Sequence, residues 1–563
     1  MSETITSTPT LATADFAVMV VYFVFVVGLG VLFSRREKDT DEYLLGGRRM
    51  PWWVIGISYM VSLMSTISLV AVPGEAFKYG VTKSFGSLLA PFAAIGTFYL
   101  FVRFYFRVKT FTPFAYLEQR FDRRVRLLGS LVFVWTRLTY LAMVLYSSSK
   151  VFEGAAGCPV WLTVCLIGII GVFYTTLGGM KAVVWTDFMQ FIILLIGMAV
   201  ITIKVSASVD GGVVGIVSYA FSHERGFEGF KHAEFYSFSP YVRLTLWMIV
   251  VGILLEFMFY NSSDQISIQR LLATSSYDQA KKSVYTFAII GLPFAAVLWF
   301  IGLAVFAYYG QHQAEADGIT GDTALYRFIA VHLPSPLPGL VIAAMLAAVM
   351  STLDSGINSL AAVSTKDIYI EHFRPKATER QQVLFSRVIT VVAGVFAIGV
   401  ALLIAGVAET IKQTIMEVNT IWGAFSAVLA PIFLIGVTTR KVKSRHIIAA
   451  CVAAWVVAGF AVGWYLLSKQ GLDGLKANNA SARLLCFLFS EHAPDWEGGT
   501  TTAAILGRHL FSRPVSFLFV CFPGLLVMLV MGYLPVLFPS KVDRDKTDGL
   551  TLWTLNNKRG SPV

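Results

Sequence analysis

Long apolar runs, separated by short polar or basic stretches, recur along almost the whole chain. Thirteen of them, near residues 14–34, 51–72, 84–105, 128–150, 159–178, 183–204, 244–262, 283–309, 338–361, 386–405, 414–437, 446–467 and 515–538, are long enough to cross a bilayer as helices. The pattern predicts an all-α polytopic membrane protein. An odd number of spans would put the two ends of the chain on opposite sides.

The ninth run carries polar groups in a pattern of its own. On a helix, Ala348, Ser351, Thr352, Ser355, Asn358 and Ser359 follow the i, i+3, i+4, i+7 spacing, which makes one polar stripe on an otherwise oily rod. Lipid cannot solvate such a stripe, so it must face other helices, water or an ion. Hydroxyl oxygens beside the carboxylate of Asp354 suit a small hard cation. A close-packing seam of small residues would explain Ser351 and Thr352 equally well, but it has no need of Asp354.

The second run is crowded at its middle by Ser58, Ser62, Ser65, Thr66 and Ser68 and ends at Pro73-Gly74. So many hydroxyls that compete for backbone partners predict a break at mid-membrane, where freed carbonyls could hold a cation. The alternative is a continuous helix whose hydroxyls bond back to their own carbonyls. A second interruption is expected from Glu256 to Gln265, leading into Gln269-Arg270. Two broken helices at matching places point to an inverted repeat, residues 51–204 and 244–437, with five spans in each. No direct sequence identity joins the two halves.

Other charges in the apolar runs are candidates too. Asp187, shortly after Gly178-Gly179, is an intramembrane carboxylate and so a functional candidate, although a helix cap would also account for it. Arg137 and Lys150 on the fourth run, and Glu417 with Asn419 on the eleventh, fit snorkelling or interfacial charge.

Composition agrees with the pattern. The chain has 563 residues, 56% of them hydrophobic and 14% charged, and a mean hydropathy of +0.68, which excludes an ordinary soluble globular class. Basic residues crowd alternate loops: Arg35, Arg36 and Lys38; Arg107 to Arg126; Lys281 and Lys282; Lys366 to Arg380; Arg440 to Arg445; and Lys541 to Lys546. Those loops are expected to be cytoplasmic, with the N-terminus outside a cell membrane and the C-terminus within. The net charge of +11 then needs no nucleic-acid partner. No basic stretch precedes the first run, so it is expected to be retained rather than cleaved as a signal.

The five cysteines show no metal-site spacing. Cys158 and Cys486 both fall on the expected outer side, where a disulfide is permitted and spacing decides nothing. There is no phosphate loop, catalytic triad or zinc motif, so an enzyme is not expected.

Four motifs occur in order: Gly46-Gly47-Arg48 with Pro51-Trp52-Trp53; Gly178-Gly179-Met180-Lys181-Ala182-Val183-Val184-Trp185-Thr186-Asp187 followed by Gln190; Asp264-Gln265 with Gln269-Arg270; and the Ser351-Thr352 stripe ending in Lys366-Asp367-Ile368-Tyr369. With them the chain, from Ala14 to the last run, resembles the solute:sodium symporter family. The resemblance implies a LeuT-type fold of thirteen transmembrane helices, an inverted five-plus-five core with one helix before it and two after. The corresponding units are 1–50, 51–204, an outer loop 205–243, 244–437, two accessory spans with their loop 438–538, and a cytoplasmic tail 539–563.

The resemblance also implies a sodium site made by the carbonyls of Val61, Met64 and Ala348 and the hydroxyls of Ser351 and Thr352. Some members hold a second sodium, which here would fall at Asp187, Asp354 and Ser355. Asp354 stands where a hydroxyl residue would be expected, and it could serve a second cation, a proton or a basic group of the solute. Ser65, Thr66, Ser68, Tyr260 and Asn261 are the expected solute contacts.

The implied activity is sodium-driven import of a small organic solute by alternating access, by a protein expected to work as a monomer in the bilayer. The runs Ser62 to Gly80 and Ile357 to Val363 look most like the branch that carries iodide, monocarboxylates and vitamins, so a carboxylate-bearing solute is expected. A sugar or sialic-acid carrier is the alternative, and a solute sensor on the same fold is a third reading.

Overall fold

The computed structural model describes residues 11–34, 39–64, 66–316, 318–411, 423–477, 516–539, 542–544 and 546–555. Among them there is no strand. In chain order the main helices are α1 (Thr13–Ser34), α2 (Trp52–Leu63), α3 (Thr66–Tyr79), α4 (Phe85–Val108), α5 (Phe114–Arg120), α6 (Arg123–Ala156), α7 (Val160–Ala207), α8 (Leu246–Ser262), α9 (Gln265–Leu272), α10 (Tyr277–Gln311), α11 (Leu337–Val363), α12 (Glu379–Ile411), α13 (Leu429–Thr438), α14 (Ser444–Ala477) and α15 (Cys521–Tyr533). Ser65, Glu417, Asn419 and Cys486 lie outside the described residues, as does the side chain of Thr66.

Seven described helices are long and apolar enough to cross a membrane, and nine if each of two bent pairs counts as one span. Four further expected spans coincide with the shorter apolar helices Thr13–Leu29, Val160–Thr176, Gly423–Thr438 and Cys521–Leu537. The stretch expected as an outer loop at 205–243 contains one more helix, Gly212–Ser222.

Local chemistry sets the boundaries. Asp122 caps α6 by accepting from the backbone N–H of Arg124 and Val125, and Gly157, at φ 66°, ends it. Thr245 caps α8 and Ser276 caps α10 in the same way. The two spans expected at 159–178 and 183–204 form one helical element, α7, kinked at Gly179, where φ is 48° and ψ is −162°. That combination is open essentially only to glycine.

Both expected breaks are present. α2 stops because Met64 is extended, at φ −100° and ψ 115°, and the helix beyond is turned by 61°. α8 and α9 are bent by 54°, and side chains brace that second break. Asp264 pairs with Arg137 of α6 and accepts from Ser267 Oγ at 2.9 Å, while Gln265 Nε2 donates to the Phe111 carbonyl at 3.1 Å. Arg137 is therefore an internal ion-pair partner; the interfacial charge expected from the sequence is corrected, because a buried carboxylate must be matched by a nearby cation.

The bundle is arranged as a membrane protein demands, oily outside and polar within. Large apolar side chains such as Val24, Phe92, Ile289 and Leu403 are exposed on the helix exteriors, while α11 is buried along nearly its whole length. α11 packs against α1, α2, α6, α7, α9 and α12. At Gly197 a Cβ would come within 2.6 Å of Ala344, so α7 can approach α11 this closely only without a side chain there. Asp15 of α1 caps the start of α11, with Oδ1 accepting from the Gly339 N–H at 2.9 Å.

Candidate functional site

The break after α2 leaves carbonyls aimed at the polar stripe of α11. Thr352 Oγ1 donates to the Met64 carbonyl at 3.2 Å and to that of Ala348 at 3.0 Å. Ser351 Oγ reaches the same Ala348 carbonyl at 3.0 Å and the Val61 carbonyl at 3.5 Å. The structure thus brings Val61, Met64, Ala348, Ser351 and Thr352 together as three carbonyls and two hydroxyls, all oxygen, in a buried position. Neutral oxygens in this number are what a small hard cation takes.

One turn further along α11 a second cluster forms, and its centre is Arg270 of α9. The guanidinium donates to Asp187 Oδ2 at 2.8 Å, to Ser58 Oγ at 2.8 Å, to the Ile266 carbonyl at 3.1 Å, and to Ser355 Oγ. Ser58 Oγ also lies 2.5 Å from Asp187 Oδ2. Asp187 and Ser355 meet as expected, but around a fixed guanidinium rather than an open cation position. Asp354 sits beside them: its Oδ2 accepts from the Tyr174 hydroxyl at 2.7 Å, and its Oδ1 from the Ser355 N–H at 2.6 Å. Asp187 Oδ1 is buried with no hydrogen-bond partner among the described residues.

A cavity adjoins the first cluster. It has two lobes, about 480 Å³ and about 540 Å³, that share Leu63, Ser68, Met248, Gly252, Glu256 and Tyr260. Ser62, Thr136, Arg137 and Tyr140 line the first lobe; Met64, Lys83, Ser87 and Trp299 line the second. The volumes suit a small organic molecule, with polar groups from several helices set in a mostly apolar wall. Because Met64 belongs to this wall and its carbonyl to the oxygen cluster, the two sites are continuous.

Of the expected solute contacts, Ser68 and Tyr260 line this cavity and Asn261 does not. Asn261 is held by α4, with Nδ2 donating to the Ala94 carbonyl at 3.0 Å and Thr97 Oγ1 at 2.8 Å, and Oδ1 accepting from the Tyr59 hydroxyl at 3.2 Å. Those bonds use up its amide in packing. The sequence marked Arg137 only as a weaker candidate that fits snorkelling or interfacial charge, and marked neither Tyr140 nor Glu256 as a solute contact; for Glu256 the signal was available, an acid inside the apolar run of α8.

The family model described as the sodium:solute symporter family matches residues 43–453. The chain belongs to the sodium:solute symporter family. Among curated relatives of this symporter, the sodium/sialic acid symporter NanT of Aliivibrio fischeri is 28% identical over 450 residues, covering 78% of this chain and 86% of the relative. The human sodium-coupled monocarboxylate transporter 1 is also 28% identical, over 471 residues, with 81% and 73% covered. A solved structure of a sodium-coupled sialic acid symporter superposes with a TM-score of 0.78 at 24% identity, covering 94% of this chain and 99% of that one. The chain is thus a sodium-coupled solute symporter of the membrane, with the fold of that neighbour.

Proposed function

We propose that this symporter imports a small carboxylate-bearing solute, driven by sodium bound at Val61, Met64, Ala348, Ser351 and Thr352. The observation that carries the reading is the continuity of the five-oxygen cluster with the cavity through Met64. A cation there would tie α11 to the break between α2 and α3, replacing hydroxyl-to-carbonyl bonds with ion contacts. The same segment forms the wall on which the solute sits, so filling one site stiffens the other.

The carboxylate preference is supported by the Arg137 guanidinium, which uses one amino group on Asp264 and lines the first lobe together with Ser62, Ser68, Tyr140 and Tyr260. Sodium must bind the outward, solute-competent state more tightly for its gradient to do work. The N-terminus is placed outside on the basic-loop pattern. A sialic acid, itself a carboxylate with hydroxyl groups, is the second reading, favoured by the similarity to NanT.

The test is uptake into proteoliposomes with an imposed sodium gradient. Ser351→Ala should raise the sodium concentration needed for half-maximal uptake, with the protein still inserted; an unchanged sodium dependence would overturn the site.

A further inference from the structure

Glu256 stands in the middle of an apolar membrane helix and faces the cavity, lining both lobes. It is exposed to that space rather than packed away. Its one hydrogen bond among the described residues comes from the Tyr260 hydroxyl, one turn on, at 2.9 Å, and it joins none of the ion pairs found among them. The other acid near the first lobe, Asp264, is buried and already paired with Arg137. Among the described residues, the cavity wall therefore carries one carboxylate turned to the occupant, with cationic side chains to either side of it: Arg137 in one lobe and Lys83 in the other.

A plain monocarboxylate would bring a second negative charge beside Glu256, and a neutral sugar would offer the Glu256 carboxylate no opposite charge of its own. A molecule bearing both signs avoids both costs. We propose that Glu256 is a solute-binding residue that receives a positively charged nitrogen, and that the carried solute is a small zwitterion whose carboxylate turns to Arg137. The Tyr260 hydroxyl fixes the Glu256 carboxylate for this contact. The proposal rests on the carboxylate-import reading above and adds the second charge to it.

The test compares isosteres that differ only in that charge, by thermal shift on the purified full-length protein in sodium. One pair is glycine betaine and tert-butylacetate, and the other is L-valine and its analogue with methyl in place of ammonium. A charge-assisted contact predicts that the ammonium-bearing member of at least one pair binds about tenfold tighter, read from the concentration dependence of the melting temperature. Glu256→Gln should erase that preference and leave the shift caused by sodium alone intact, which also shows that the variant is folded. Equal binding within both pairs, preference for the uncharged isosteres, no shift from either ammonium-bearing probe, or a preference that survives Glu256→Gln each overturns the proposal. The sodium-only shift, compared between wild type and Ser351→Ala, separately tests the sodium site, so failure of the parent reading is distinguishable from failure of this one.

Discussion

Thr352 Oγ1 lies 3.2 Å from the carbonyl oxygen of Met64, a contact across 288 positions of sequence that joins the polar stripe of α11 to the broken end of α2. The contact exists because Met64 leaves helical geometry, so its carbonyl is not committed to a partner one turn on. Thr352→Val keeps the shape of the side chain and removes the oxygen. Loss of one oxygen from a desolvated cation site, at about 1.5–3 kcal/mol for a charged partner, predicts a rise of about tenfold or more in the sodium concentration for half-maximal uptake. Sodium titration of uptake checks it, and a half-saturation point within error of wild type would remove Thr352 from the site.

Arg270 and Asp187 form a different kind of contact, an ion pair with both partners buried. Removing one partner strands the other charge in a low-dielectric interior, at a cost of about 3–5 kcal/mol, whereas removing both is much milder. Arg270→Met should therefore lower the melting temperature steeply, and the double variant Arg270→Met with Asp187→Asn should recover a large part of the loss. A double variant no more stable than Arg270→Met alone would mean that the guanidinium acts mainly through Ser58, Ser355 and the Ile266 carbonyl.

What the sequence made legible was whatever repeats locally. Apolar runs marked the helices, the hydroxyl crowd from Ser58 to Ser68 marked the first break, and helical spacing gathered Ala348, Ser351 and Thr352 onto one face. The pairings that complete the site are not local. Asp187 and Arg270 are 83 positions apart, and Arg137 and Asp264 are 127 apart, so no periodicity joins them and the cluster read as a second cation position lacked its guanidinium. Asn261 shows the converse. Its place beside the second break suggested a wall residue, but the break turns the amide into α4.

Gly179 tests whether the kink in α7 is required. Its backbone, at φ 48° and ψ −162°, separates the first part of α7 from the part that carries Asp187. Any side chain there is strained by about 1–3 kcal/mol. Gly179→Ala should lower thermal stability by that order, and Gly178→Ala, where φ is not positive, should cost less. Equal melting temperatures for the wild type and Gly179→Ala would mean that the helix straightens without penalty.

Asp354 is a buried carboxylate that joins none of the ion pairs found among the described residues. Its two oxygens are used by the Tyr174 hydroxyl and by the N–H and hydroxyl of Ser355, the latter at 3.2 Å. An asparagine can keep the bond from the Ser355 N–H, and Tyr174 can turn its hydroxyl to accept from the new amide, so Asp354→Asn preserves the shape of the cluster and removes only charge. If that charge served only to hold Tyr174, transport would be indifferent to the change. A buried carboxylate within one turn of the first cluster, on the same helix, is instead expected to enter the ion balance of the cycle. We expect Asp354→Asn to insert normally and to alter either the sodium-to-solute ratio, measured from reversal potentials in proteoliposomes, or the pH profile of uptake. The same ratio and the same profile as wild type would reduce Asp354 to a brace for Tyr174.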